Sequence, residues 1–461
     1  MFNTNWRMPC ALVMSALAAG CASLPLKQGQ SQVDALLQAR TPPTITAPAQ
    51  RSVDAQGIDA QIAQWLAEPL TLERAQRIVL LRNPRIRAEY AQLGLTAADV
   101  FEAGRLQNPT LGLSWLLPLG AAQGEKVSAS LGVAITDLLL RGARQRMASA
   151  QFEGVQQMVA GTVLDLLTQT QLAWFDCVAA TQRVAVRRSI ADAAQLAADL
   201  ATQYYQAGNI AQLQLQLQLA EASQARIEMQ AAELTLTDAR AQLQTQLGLG
   251  ASQSTWTVPD ILPQVPLQKP AHEARPLQAL ALQQRLDLAA ARNRAKALQL
   301  RHDTSRRYRY MSNLRLGVEM EREADGAKRL GPGAQLGLPL FQQGQGVIAR
   351  AEAELARAEA EVVELENSIQ SDVARQLQRM ELARLQAQAY REGLIPQREN
   401  VVARLREQAN FMLVDSFTVL TARQQEYAAY AGYVDAAQRY WTAQTELSRA
   451  MGSQRGVETQ P

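Results

Sequence analysis

The sequence predicts a mainly α fold with a small two-faced β component, built as a duplicated module. Three observations carry that expectation. Lys126–Thr136 alternates, with Val127, Ala129, Leu131, Val133 and Ile135 apolar and Lys126, Ser128, Ser130, Gly132, Ala134 and Thr136 polar or small. A period of two sets these groups on opposite faces of a strand. Much of the remaining chain is rich in Ala, Gln, Leu, Arg and Glu, the composition of long helices. Landmarks also recur at a near-constant interval: Gly112 and Gly317 lie 205 residues apart, as do Gly132 and Gly337, and Gly248 and Gly452 lie 204 apart.

The chain opens with Arg7 and a short apolar core, Met8–Gly20, which reads as a signal peptide over residues 1–20. LAAGC, Leu17–Cys21, resembles a bacterial lipobox, in which Cys21 is acylated and becomes the new N-terminus. Ala18 stands where that motif usually has leucine, and the alternative is an ordinary cleavage site beside a chance cysteine. In this resemblance Ala22, not being Asp, directs sorting to the outer membrane. Residues 21–70 read as a tether, Pro-, Gln- and Thr-rich to about Gln50.

A first module is expected over residues 71–250. Thr71 opens a helix, Asn83-Pro84 punctuates it, and a second helix runs to about Leu106. Strands follow at 109–117 and 126–136. Gly142–Ala207 is free of proline and predicts one long helix, which Gly208-Asn209 turns into a second helix over Ala211–Leu247. Five prolines, at 259, 263, 266, 270 and 276, mark an inter-repeat linker over 251–276. The second module, 277–452, repeats the order with strands at 313–321 and 334–341, and 453–461 forms a tail. Gly331-Pro332-Gly333 and Gly344-Gln345-Gly346 read as strand-end punctuation.

Each strand has about the length of a tilted transmembrane strand, roughly 9–11 residues. An apolar-out, polar-in ribbon is what a membrane β-barrel needs, and it makes Lys126, Ser128, Ser130, Arg315 and Glu319 lumen-facing candidates. A small two-layer sheet in a soluble α+β domain is the alternative. Two hairpins cannot close a barrel, and an open edge does not survive in lipid, so several chains would share one barrel.

Other chemistry is thinly supported. A net charge of +3 and 5% aromatic residues give no argument for nucleic acid. The basic run Arg301–Arg309 reads as a solvated helix face. His272 and His302 lack metal-ligand spacing, and Cys177, beside Trp174 and Phe175, reads as a small buried hydrophobe. There is no phosphate loop, serine elbow or Cys/His cluster, so an enzyme is not expected.

Read in order, the motifs resemble the TolC-like outer-membrane efflux family, in its lipoprotein type. The residues that carry the resemblance are Asn83-Pro84-x-Ile86, Gln284-Arg285-Leu286-Asp287-Leu288, Leu338-Pro339-Leu340-Phe341-x-x-Gly344 and the closing Tyr440-Trp441…Glu446-Leu447…Met451-Gly452. Leu286 departs from the pattern, which commonly has proline there. The resemblance implies a homotrimer whose twelve strands form a β-barrel continuous with an α-helical periplasmic tunnel. It implies a passive exit duct that works with a periplasmic adaptor and an inner-membrane pump, with no metal and no cofactor beyond the covalent lipid on Cys21. It also implies an acidic ring at the periplasmic aperture, from an Asp six residues after a Gly. Ala409…Asp415 fits that spacing in the second half, with Asn410 in place to supply left-handed backbone. Gly208 keeps the glycine in the first half, with Asn209 beside it and Gln214 at the acidic position. The plainer alternative makes Asp415 a helix-start acid. The rival class is a periplasmic coiled-coil lipoprotein that acts as a scaffold without a pore.

Overall fold

A computed structural model describes residues 29–45, 55–117, 125–250, 255–268, 273–311, 314–323 and 325–455. The signal segment and Cys21 lie outside the described residues. The elements are α1 (Gln30–Gln38), α2 (Ala55–Leu66), α3 (Leu72–Arg82), α4 (Pro84–Ala103), β1 (Thr110–Leu116), β2 (Lys126–Ala134), α5 (Ile135–Gln206) and α6 (Gln212–Leu247), then α7 (Ala274–Gln284), α8 (Leu286–Arg307), β3 (Leu314–Arg322), β4 (Lys328–Leu336), α9 (Gln345–Gln388), α10 (Ile395–Asn410) and α11 (Ser416–Met451). From α3 onward the order helix, helix, strand, strand, long helix, long helix occurs twice. The chain divides into two compact units.

The first unit contains the sheet, with residues 90–156 and 290–361. Its four strands are antiparallel in the order β1-β2-β3-β4. β2 gives way to α5 at Ile135, earlier than the alternation predicts. Asp137 sits in the first turn of α5, and the Thr136 hydroxyl accepts from the Leu314 N–H at 2.8 Å. Thr136 thus serves the neighbouring strand through its side chain, from within a helix. Arg294–Glu361 (3.1 Å) and Arg301–Glu354 (2.6 Å) tie α8 to α9. Arg301 of the basic run therefore has an acidic partner on a neighbouring helix.

β4 differs from expectation. It spans Lys328–Leu336 rather than 334–341, and Gly331-Pro332-Gly333 lies inside it. The cause is the hairpin. In β1–β2 the last pair is Leu116–Lys126, whereas its counterpart in β3–β4 is Glu321–Arg329, so the second connection is two residues shorter. The sheet sets Gln335, not Gly337, in the place that Gly132 holds. Leu338 and Leu340 continue the sequence alternation, but they lie beyond the strand.

The second unit holds residues 32–89, 157–289 and 362–461. The Thr71 side chain caps α3 by accepting from Arg74 N, and Asn83 ends it in extended backbone before Pro84 starts α4. Asn83 Nδ2 also donates to the Gln246 carbonyl at 2.9 Å, which fastens this break to the end of α6. The second repeat breaks in the same way at Arg285, with Leu286 opening α8 without a proline. The core is aliphatic and Ala-rich, with a group of four aromatic rings. Phe175 stacks on Trp441 at 5.3 Å, and Trp174 and Tyr440 meet these rings edge-on. Trp441 Nε1 donates to Pro263 O, the buried Arg384 guanidinium to Leu267 O and Arg391 to Val265 O, while Gln182 Oε1 accepts from Leu262 N, so side chains hold the Pro-rich linker at four points. Cys177 is fully buried, and burial pushes its thiol up to about 11, in keeping with a packing role.

Three further expectations are corrected. The 21–70 segment is not a plain tether, because it forms α1 and α2. Val33 and Leu37, one turn apart, bury α1. Arg40 donates to Gln284 O at 3.0 Å and accepts, through its own carbonyl, from Gln454 N at 2.8 Å. The start of the expected tail, through Arg455, is therefore pinned as well. α7 begins at Ala274, within the expected linker, because Pro276 is tolerated in a first helical turn. The second long helical stretch is interrupted by a π segment, Ala389–Leu394. Pro396 follows it and cannot donate to residue 392, which accounts for the local widening. Gly432 on α11 makes room for the segment's Tyr390, since a Cβ there would lie 2.6 Å from the ring.

Candidate functional site

The chemistry of the chain lies in the two faces of the sheet. Register places Val127, Ala129, Leu131 and Val133 of β2 beside Leu111, Leu113 and Trp115 of β1. Across β3 and β4 the same face continues through Leu316, Val318, Met320, Leu330, Pro332, Ala334 and Leu336, and it ends in the charged pair Arg322 and Lys328 beside Val127. It is open: Leu113 is 74% exposed, Leu131 53%, Val318 51% and Leu330 73%. No element of the described residues covers it.

The reverse face is polar and small apart from Leu116, which lies opposite Lys126 at one end. Lys126, Ser128 and Ser130 lie on it with Arg315 and Glu319, so all five lumen-facing candidates share one face; Ser130 is opposite Glu319. Lys126 is ion-paired to Glu321, with Glu323 at 4.0 Å, and Arg329 approaches Glu323 at 3.9 Å. These charges gather at one end of the sheet. Further along, Gly112 faces Ser130 so closely that a Cβ would sit 2.6 Å from the hydroxyl.

The helical turns lie in the second unit. In the first, Gly208 has φ +76°, its N–H donates to Tyr205 O at 2.9 Å, and Asn209 N–H donates to Tyr204 O at 2.8 Å. In the second, Met412 has φ +59°, with Met412 N–H to Ala409 O at 2.9 Å and Leu413 N–H to Gln408 O at 3.0 Å. The two bonding patterns are the same helix stop. Met412, not Asn410, therefore supplies the left-handed residue. Ala409 and Asn410 are the last residues of α10. Glycine takes this backbone freely, whereas a side chain costs on the order of 1–2 kcal/mol. Phe411, Met412 and Leu413 are 77%, 93% and 73% exposed.

Superposing the stops pairs Asp415 with Ala211, not with Gln214. Six residues after the left-handed position come Gln214 and Thr418, neither of them acidic. Asp415 is the N-cap of α11: Oδ1 accepts from Thr418 N at 2.6 Å and from Thr418 Oγ1 at 2.7 Å. Ala211 caps α6 with no side-chain bond. The spacing rule missed this because Asp415 was counted from Ala409 rather than from the residue that turns the chain. The two turns meet through aromatics, with Tyr204 edge-on to Phe417 at 5.7 Å over Ala201 and Leu215.

No group of His, Cys, Asp and Glu among the described residues is arranged to hold a metal ion. No described helix is long and apolar enough to cross a membrane. No protein-family model matches the sequence, and no curated protein matches it. Solved structures do match. The outer membrane protein VceC from Vibrio cholerae aligns with a TM-score of 0.67 at 15% identity, over 83% of this chain and 96% of that one. The fold is that of the TolC-like outer-membrane channels. The CmeC outer membrane channel of Campylobacter jejuni aligns at 0.66 and 14% identity, over 89% of each chain. A membrane protein from Pseudomonas aeruginosa gives 0.69 at 18% identity, over 83% of this chain and 92% of that one.

The cap separates two roles of Asp415. Asp415→Ala should destabilise the second turn by about 1 kcal/mol, seen as a lower thermal midpoint, whereas Asp415→Asn keeps an acceptor and should melt within a few tenths of wild type. Equal losses in both variants would show that charge, not capping, stabilises this turn.

Proposed function

We infer that this chain is one subunit of an outer-membrane exit duct, a passive channel through which an inner-membrane pump and a periplasmic adaptor discharge cargo. The observation that carries it is the sheet with one exposed apolar face and one polar face on all four strands. Lipid covers the first face, and a water-filled lumen meets the second. Four strands leave two open edges, which three copies close into a twelve-stranded barrel. The helices of the second unit form the periplasmic part. Lipid on Cys21 anchors the mature N-terminus in the outer membrane of a Gram-negative bacterium. The chain performs no chemistry of its own and takes no metal. A pore-free scaffold lipoprotein would leave the apolar face without a partner.

The faces are distinguishable by substitution. Leu131→Arg and Val133→Arg put a charge toward lipid and should hinder membrane assembly, at roughly 2–4 kcal/mol near the midplane. Ser130→Arg should assemble, because Gly112 beside it has no side chain and Glu319 is opposite. Equal failure of both classes would refute the assignment of faces. At the second turn, Asp415 contributes one exposed carboxylate per chain to the aperture. Asp415→Asn, with its cap intact, should lower cation preference in bilayer recordings; unchanged ion preference would remove Asp415 from the aperture.

A further inference from the structure

β1 and β4 each present an unpaired edge. Which backbone groups point outward along β4 follows from its hairpin. Glu323 N–H donates to the Ala327 carbonyl at 2.9 Å, so these two residues are a hydrogen-bonded pair. Such pairs alternate with non-hydrogen-bonded ones along an antiparallel ladder. Stepping along the register, Met320–Leu330, Val318–Pro332 and Leu316–Ala334 are non-hydrogen-bonded pairs. The backbone groups of Leu330, Pro332, Ala334 and Leu336 therefore point away from β3, to the open edge. The same alternation carried through β3 and β2 leaves Leu111, Leu113 and Trp115 pointing outward from β1. On both edges the outward-bonding residues are also the apolar-face residues. β4 of one copy can then meet β1 of another, antiparallel, with faces and hydrogen-bonding groups matched together.

We propose that β4 pairs with β1 of a second copy of this chain in one register: Pro332 opposite Trp115, Ala334 opposite Leu113 and Leu336 opposite Leu111. The register comes from the internal duplication. Gly112 and Gly317 are equivalent, and they pair with Ser130 and Gly333, so Ser130 of β2 maps onto Gly333 of β4. The β2–β3 junction within the chain is then the counterpart of the β4–β1 junction between copies. There Ala129 opposes Met320, Leu131 opposes Val318 and Val133 opposes Leu316. Carried over residue by residue, these become the three pairs above. The seam rests on the shared barrel proposed for the function.

Pro332 fits this seam. It has no N–H to donate at the open edge, so the seam loses one hydrogen bond, while the Pro332 carbonyl still accepts from the Trp115 N–H of the neighbouring copy. A β4–β4 pairing of two copies would lose two, one at each proline. The proline thereby selects the mixed seam over the like-with-like one, which is how edge prolines act in sheets generally. Its ring also faces a Trp indole, a large apolar cross-strand pair.

In this register Ser114 and Gly333 fall opposite each other as a non-hydrogen-bonded pair, about 4.5 Å between Cα atoms and within reach of a disulfide. A Cβ at Gly333 meets only Glu319 Oε2, at 4.0 Å. Full-length Ser114→Cys/Gly333→Cys, oxidised in membranes and run without reductant, should show most chains linked in twos and threes. Ser114→Cys/Gln335→Cys, shifted by two residues along β4, should cross-link about tenfold less. Linking in the shifted variant instead overturns the register, as does linking in neither while the non-covalent oligomer forms. If the unmodified chain forms no oligomer in membranes, the shared barrel itself fails, and the seam with it.

Discussion

Lipid offers no partner to a backbone amide and no penalty to an exposed leucine. The sheet of this chain has the form that both conditions require, which is the ground of the function proposed for it. Nearly all its large apolar side chains are gathered on one face from four strands, and its unpaired amides are confined to two edges of opposite direction. In water the face would be an aggregation surface; in a bilayer it is an ordinary exterior. In the proposed barrel the open edges are the demand that further copies of the same sheet answer, so that oligomerisation would follow from strand number.

The helical unit follows a different economy. Its buried stripe is drawn largely from alanine, as in the cluster of Ala194, Ala198, Ala222 and Ala225, so α5 and α6 approach closely without a wide core. Bulk is kept for a few places: the Trp174, Phe175, Tyr440 and Trp441 group, and Tyr204 with Phe417 at the turns. Several leucines of α6, among them Leu213 and Leu234, remain exposed, as does Ile227. The helices therefore keep apolar surface that one chain alone does not bury, as the sheet does.

Much of this was legible in the sequence. β2 declared itself through strict alternation, the helix breaks through Asn83-Pro84, and the duplication through its glycines. β4 did not, because Gly331, Pro332 and Gly333 replace the residues that normally signal a strand, while Leu338 and Leu340 carry the alternation past its end. Two residues missing from a hairpin connection are invisible to a glycine-to-glycine alignment, yet they move the register by two residues. The second turn was misread for a related reason: a methionine holds the position that Gly208 holds in the first, and no propensity rule places Met412 in left-handed backbone. α1 was hidden by its brevity, with two buried side chains marking it.

The central claim is that one face of the sheet meets lipid and the other meets water. Single-cysteine variants along β2, from Val127 to Val133, carrying a nitroxide label in reconstituted membranes, test it by collision accessibility. Oxygen, which partitions into lipid, should relax labels at Val127, Ala129, Leu131 and Val133, and a water-soluble nickel chelate should relax those at Ser128, Ser130 and Gly132, in strict alternation. Uniform access of the chelate to every position, or alternation of the opposite phase, would contradict the account.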